Sequence, residues 1–362
     1  AADADIQKWW NNRQHMGDHP VASDKLLLFA PLTEREADST PVPKNARWAS
    51  THPAGRRGMR FDAAGGLQVN APASRSDEPL TVSFWIRAPD KLLSTTILEQ
   101  LVSVEDPKNK KKKHTLGWRL TSSTQGAVTF QMHDGKGGMV SGLLAGEEAV
   151  TPRKWQHVCV RYSGGRAKTA VTLLVNGENR RMRNSTQSYC DAVELRETPL
   201  KLGRNFPTGG LSDIRMYQRW LTLDEVQVLA DEFKLRKLLA SDATWSDLKP
   251  AQREMLARYR NNDLDVKYRK TSREFAKTQL RRDFIHSRST TTMVMEERTD
   301  AKPRAWVLNR GEYDQRSYEV QPNVPAALIP LPKGAPRNRL GLARWLVDPK
   351  HPLTARVTIN RL

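Results

Sequence analysis

Five side chains, Trp85, Arg87, Arg119, Gln131 and His133, stand opposite apolar stripes in short alternating runs. Leu80, Val82, Phe84 and Ile86 alternate with Thr81, Ser83, Trp85 and Arg87. Leu116, Trp118 and Leu120 alternate with Gly117, Arg119 and Thr121, and Val128, Phe130 and Met132 with Thr129, Gln131 and His133. Successive strand side chains point to opposite faces, so the apolar sets share a core and the polar sets look outward. A flat indole beside fixed donors and acceptors is the chemistry of sugar recognition, ring on ring and hydroxyl on polar group. The competing reading buries Trp85 beneath a loop.

A second polar constellation is Asn309-Arg-Gly-Glu-Tyr-Asp314, in which Gly311 allows a tight turn. Arg310, Glu312, Tyr313 and Asp314 so close together fit substrate binding or a carboxylate pair for acid–base work. They equally fit an Arg310 ion pair that pins a linker. The run Lys108-Asn-Lys-Lys-Lys-Lys-His114 follows Asp106-Pro107 between two strands and reads as a solvated loop tip, with contact to a polyanion as the alternative. The chain carries no G-x-S-x-G, phosphate loop, H-E-x-x-H or G-x-G-x-x-G in a strand–helix setting. The two carboxylates of a glycosidase need no fixed spacing, so the enzyme question stays open.

The chain has 362 residues, enough for about two domains. Lys and Arg number 59 against 40 Asp and Glu, a net charge of +19. That balance favours an anionic partner, but acids are interleaved with the bases, so nucleic acid is the weakest of the candidate partners. No window approaches the ~18 apolar residues of a spanning helix. Ala1-Ala-Asp-Ala-Asp5 lacks the form of a signal peptide, which fits a cytosolic, processed or excised chain. Leu353–Leu362 stops inside a helical pattern, so more polypeptide is expected beyond it. Cys159 and Cys190 exclude a disulfide-dense scaffold; they form one disulfide in an oxidising compartment or stay separate thiols. There is no Cys-x-x-Cys-His, hence no c-type haem in this segment.

The elements that must position these residues follow from periodicity. Further β-type runs at Trp155–Tyr162, Val171–Val175 and Leu211–Tyr217 are divided by turn signals such as Asn176-Gly177, Ser163-Gly-Gly165 and Asp134-Gly135. Many short strands with such turns predict a mainly β, antiparallel sandwich over residues 25–232. Residues 1–24, with Trp9 and Trp10, read as a tail or linker that packs onto something else. Thr222-Leu-Asp-Glu225 is a capping box, and Val226, Leu229, Ala230 and Phe233 share a face suited to lie on the sandwich. Residues 233–289 read as a helical connector, with helices from Pro250 to about Asn261 and over about 263–287. In the last of these, Leu264, Tyr268 and Phe275 lie opposite Val266, Leu280 and Phe284, so it either breaks or touches two partners.

Trp155-Gln-His-Val-Cys-Val-Arg-Tyr162, Val171-Thr-Leu-Leu-Val-Asn-Gly-Glu178, Leu202-Gly-Arg204 and Gly210-Leu-Ser-Asp-Ile-Arg-Met-Tyr-Gln-Arg-Trp-Leu221 resemble the closing strands of a laminin-G or concanavalin A-like jelly roll. The resemblance implies calcium as the metal, with Asp213 as its residue, unless Asp213 is a structural turn former. It also implies a sheet face on which sugars lie, and a packing role for His157.

Residues 290–362 carry a second resemblance. Met293-Val-Met-Glu-Glu-Arg298, Ala305–Asp314, the linker prolines Pro322, Pro325, Pro330, Pro332 and Pro336, and Asn338-Arg-Leu-Gly-Leu-Ala-Arg-Trp-Leu-Val-Asp-Pro349 resemble the start of a C-terminal domain in secreted, cytochrome-associated multidomain proteins of planctomycetes. That implies a secreted or periplasmic module that binds polysaccharide or a partner protein, with other domains of the same polypeptide as neighbours. Haem attachment and electron transfer would belong to another domain. The runner-up is a non-catalytic scaffold.

Overall fold

Alternating apolar and polar residues build two antiparallel sheets in the computed structural model. It describes residues 2–12, 23–34, 46–55, 57–61, 66–72, 74–89, 95–106, 109–123, 127–144, 150–164, 171–180, 183–188, 194–195, 197–204, 206, 208–288, 294 and 304–361. The first strands are β1 (Leu26–Ala30), β2 (Ala46–Thr51), β3 (Arg57–Phe61), β4 (Leu67–Val69), β5 (Ser74–Arg75) and β6 (Leu80–Arg87). Next come β7 (Thr95–Asp106), β8 (Asn109–Ser122), β9 (Val128–Asp134), β10 (Met139–Leu144), β11 (Trp155–Tyr162) and β12 (Val171–Val175). The series closes with β13 (Glu178–Arg180), β14 (Arg183–Ser188), β15 (Glu194–Leu195), β16 (Leu200–Arg204) and β17 (Gly210–Tyr217). One sheet has eight strands in the order β13-β12-β11-β6-β17-β3-β2, with β1 also paired to β17; the other has seven, β14-β10-β9-β8-β7-β16-β4.

The inward rows of both sheets meet in one core that contains Phe84, Ile86, Trp118, Phe130, Met132, Tyr162, Leu202 and Met216. Polar groups inside it are satisfied: Trp118 donates to Gln100 Oε1 at 3.1 Å, and Gln100 Nε2 donates to the carbonyls of Pro72 and Thr198. The β12–β13 turn has Asn176 at φ 53° and Gly177 at φ 83°, the pair of positive angles that a two-residue hairpin of this twist requires. Asp213, at φ 55°, sits at a register shift in β17. The extra residue switches parity: Leu211 is in the core, yet so are Ile214 and Met216. Arg215 and Tyr217 are thereby turned outward.

That outer face of the eight-stranded sheet carries a second core. Helices α1 (Ala2–Asn11), α2 (Leu223–Leu239) and α3 (Pro250–Tyr259) cover it, and Trp10, Val226, Leu229, Leu235, Leu256 and Tyr259 pack with Cys159, Leu174 and Tyr217. Trp10 is fully buried and donates to the Ala243 carbonyl at 3.2 Å. Residues 1–290 therefore cluster as one compact unit and 291–362 as another. Helices α1, α2 and α3 thus form a layer on the sandwich, with Trp9 and Trp10 packed into it.

α2 opens with the expected capping box: Glu225 N–H donates to Thr222 Oγ1 at 3.2 Å, and Thr222 N–H donates to Glu225 Oε2 at 2.9 Å. Thr222→Ala is expected to cost about 1 kcal/mol in urea unfolding, since one end of this reciprocal pair is lost. A five-residue π turn, Arg260–Leu264, ends at Asp265, and α4 (Val266–Arg288) starts afresh. The two-faced pattern resolves as a break: Leu264 packs into the helical core, whereas Val266 is exposed. From Asn109 onward the lysine run is strand rather than loop. It forms the first half of β8, and His114 Nε2 meets Asp106 Oδ2 at 2.9 Å across the hairpin.

In the second unit, β18 (Ala305–Leu308) and β19 (Arg316–Val320) form a hairpin, followed by α5 (Arg339–Leu346) and α6 (Thr354–Arg361). Asn338 caps α5 by accepting from Gly341 N–H at 3.1 Å. Trp345 is buried, donates to the Ile329 carbonyl at 2.7 Å and stands edge-on to His351.

Candidate functional site

The outward residues of the seven-stranded sheet fall into cross-strand rows. Register pairs Ser141 with Gln131, Gln131 with Arg119, Arg119 with Glu99, Glu99 with Lys201 and Lys201 with Gln68. Paired residues point the same way, and their strand neighbours Met132, Trp118 and Leu202 are buried in the core, so this polar row is the outer face. Arg119 Nε donates to Gln131 Oε1 at 2.6 Å. Lys201 Nζ donates to Glu99 Oε1 at 3.3 Å, and Arg204 Nη1 lies 3.8 Å from the same oxygen. These contacts hold long side chains in fixed positions with donors and acceptors side by side.

The next row runs Met139, His133, Gly117, Leu101. Gly117 has φ 121°, and a Cβ there would come 2.0 Å from the Gln100 carbonyl oxygen, so no other residue fits. No side chain stands between His133 and Leu101, and the face dips at that point. Burial, and then the Arg119 charge, push the His133 pKa down against the opposing Asp134, so the imidazole is neutral and offers one donor and one acceptor.

Trp85 and Arg87 lie elsewhere, on β6 of the eight-stranded sheet. The five expected binding residues therefore divide between the two outer faces: Arg119, Gln131 and His133 come together, and Trp85 and Arg87 do not join them. Trp85 is 7% exposed and faces Phe233 of α2, with ring centroids 5.6 Å apart, and the rings of His52 and His157 at 5.4 and 5.7 Å. It is a buried packing residue at a helix–sheet junction rather than an open platform for a sugar ring. Burial pushes His52 down to about 4 and His157 to about 3.

Residues 61–227 match the family model of the concanavalin A-like lectin/glucanases superfamily. The sandwich has the concanavalin A-like fold. Solved structures of similar fold include the binding domain of Paraclostridial Mosquitocidal Protein 1, with 16% identity, 58% of this chain and 52% of that one covered, and a TM-score of 0.41. The botulinum neurotoxin serotype D binding domain has 16% identity over 54% of this chain and 46% of its own, with a TM-score of 0.39. The serotype D ligand binding domain in complex with N-acetylneuraminic acid has 15% identity over 64% and 53%, with a TM-score of 0.38. The chain spans about half the length of these structures, and at such identity the likeness concerns fold alone. No curated protein matches the chain.

Within the concanavalin A-like domain, Asp213 does not fit a calcium ion. Its Oδ1 accepts from Arg215 Nη2 at 3.3 Å, so a divalent cation would sit beside a buried guanidinium. Among the described residues no group of three or more His, Cys, Asp or Glu could hold a metal. His157 is a packing residue whose Nε2 meets Ser83 Oγ at 2.8 Å. Cys159 carries a free thiol, buried under the helical layer and pushed up to about 12 by that burial. Cys190 lies outside the described residues. At the β18–β19 turn, Arg310, Glu312, Tyr313 and Asp314 are all exposed, and Glu312 accepts from Gln315 Nε2 at 2.7 Å. With Tyr313 85% exposed, that turn offers no enclosed site. No described helix is long and apolar enough to cross a membrane.

Proposed function

We propose that the concanavalin A-like domain binds carbohydrate through the outer face of the seven-stranded sheet. Arg119, Gln131, Glu99 and Lys201 pair with sugar hydroxyls, and His133 borders the dip at Gly117. The observation that carries this reading is the polar row itself, which crosses five strands from Gln131 to Gln68 while the covering helices pack on the other sheet. A sheet face turned to water needs only scattered polar residues; side chains tied in hydrogen-bonded pairs across strands supply the fixed groups that orient a polyol. The superfamily's description as lectins and glucanases agrees with it. The resemblance of residues 290–362 to planctomycete secreted proteins supports placing this module in a secreted or periplasmic multidomain polypeptide that handles polysaccharide, with electron transfer resident in another domain.

A glycan array probed with the full chain, with and without chelator, tests the reading. Selective binding is expected, unaffected by chelation; Arg119→Ala should weaken it at least about tenfold without moving the melting temperature, the loss of a hydrogen bond from a charged group being about 1.5–3 kcal/mol, and Gln131→Ala, which loses a neutral one, about threefold. Retained binding in both variants would remove this face from consideration. A second reading, an interaction scaffold, is favoured by the helical cover over Trp85, which gives the eight-stranded sheet over to packing. It predicts an empty array.

A further inference from the structure

One end of the eight-stranded sheet brings arginines into one row on its outer face. Register pairs Arg47 with Arg60, Arg60 with Gly210, Gly210 with Arg87, and Arg87 with Trp155. Met59 and Phe61 point into the core, so Arg60, like Arg87, rises on the outer side. Like charges placed directly opposite on neighbouring strands are destabilising. Yet no acidic partner is present for Arg60 or Arg87 among the described residues, and the nearby carboxylate of Glu34 is taken by Arg57. Gly210 lacks a side chain, and the Trp155 indole fills that space: a Cβ on Gly210 would meet the ring at 2.9 Å, and one on Gly58 at 2.7 Å. The Arg60 and Arg87 positions therefore flank Gly210, over which the indole edge lies.

A second observation points to a ligand. The ring of His52, 1% exposed, stands 4.8 Å from the Trp155 ring and 5.4 Å from that of Trp85. Ala54 N–H donates to His52 Nδ1, so the neutral ring carries its proton on Nε2. That Nε2 is buried without a partner, as are the indole nitrogens of Trp85 and Trp155 and the Nε of Arg60. Four buried donors without acceptors in one neighbourhood are rare in a folded chain, where such groups are nearly always paired. All four, with the two positive charges, ask for the same thing: an acceptor that carries negative charge.

We propose that Arg60 and Arg87, on either side of the Trp155 indole above Gly210, form an oxyanion site for the carboxylate, sulfate or phosphate of a small polar molecule. The guanidinium fork suits such groups, and indole N–H and imidazole N–H donors complete the shell. This site lies on the sheet opposite the polar row and stands independently of the carbohydrate reading.

The test uses the full chain with inorganic sulfate, glucuronate and glucose as probes, at ionic strength balanced with chloride. Sulfate or glucuronate should raise the melting temperature saturably, as a ligand specific for the folded state does, and shift an indole N–H resonance that Trp155→Phe removes. Glucose should do neither. Arg60→Gln with Arg87→Gln should weaken the anion at least about tenfold, whereas Arg344→Gln, an exposed arginine on α5 of the second unit, should leave it unchanged. Binding of glucuronate without sulfate would identify a sugar acid as the source, and binding of both a general oxyanion. An equal rise in parent and double variant would mean bulk salt exclusion and overturn the site. So would the absence of any indole shift in the parent chain, a result that does not depend on the variants folding.

Discussion

Replacing Glu232 by Ala is expected to destabilise the first unit by about 3–5 kcal/mol and to loosen α2 from the sheet. Glu232 lies on the buried side of α2, one oxygen 2.6 Å from Arg215 Nη1 on β17 and the other 2.9 Å from Arg236 Nη2. Burial disfavours both charges. The Arg215 and Arg236 charges outweigh it for Glu232, lowering that pKa, as Glu232 and Asp213 do for Arg215, raising its own. Removal of the carboxylate leaves a guanidinium facing an apolar layer with Asp213 as its acidic neighbour among the described residues. Two measurements check this: the urea midpoint, and the reaction of Cys159 with a thiol reagent in a Cys190→Ser background. Cys159 is fully buried beneath the helices, so its labelling reports their departure. A midpoint unchanged from the parent, with Cys159 still protected, would show that the ion pair does not hold the helix. Glu232→Leu combined with Arg215→Met should recover a large part of the loss, because an apolar pair asks for no desolvation.

That bridge was not legible in the sequence, and the reason is local. Strict alternation from Leu211 places residue 215 on the core side; only the extra residue at Asp213 turns Arg215 toward α2, and no residue type announces a bulge that depends on Asp213 N–H donating to the Pro31 carbonyl. Alternation did reveal which side chains of β6, β8 and β9 face the core, and Thr222 with Glu225 revealed the start of α2, because both signals lie within one element. Membership of a sheet does not. Trp85 and Arg119 carry the same local pattern, yet β6 pairs with β11 and β17 while β8 pairs with β7 and β9. The choice between those partners is made by contacts far apart in the chain. Glu99 and Lys201 are not legible for the same reason: the β7–β16 pairing, between segments about a hundred residues apart, is what makes them neighbours. Four successive lysines look like a loop on composition, but a two-stranded ribbon tolerates them, since a strand edge in water needs only that its side chains be solvated.

Acid should unfold the first unit in two stages, and the buried histidines set the first. His52 and His157 are held at about 4 and about 3, against 6.5 for an exposed imidazole. For a base whose folded pKa is lowered, the unfolded chain takes up the proton first. Stability is therefore full above about 6.5 and declines as the pH falls toward the folded values. At pH 5 the loss is about 2 kcal/mol for each histidine, by linkage. The second stage belongs to Glu225 and Glu232, whose pKa values are lowered by Arg219 and Arg215 against the cost of burial. Their contribution is present above about 4.5 and lost as they protonate below it. Urea unfolding at pH 7.5, 5.0 and 4.0 measures both. His52→Asn and His157→Gln offer acceptors where Nδ1 of His52 meets Ala54 N–H and Nε2 of His157 meets Ser83, but neither residue titrates. In the double variant the decline between pH 7.5 and 5.0 should shrink to a small remainder, while the fall below 4.5 persists. If the parent holds its stability down to pH 5, the two rings are solvated or paired in the folded chain, and the aromatic nest around Trp85 is open to water rather than sealed by Phe233.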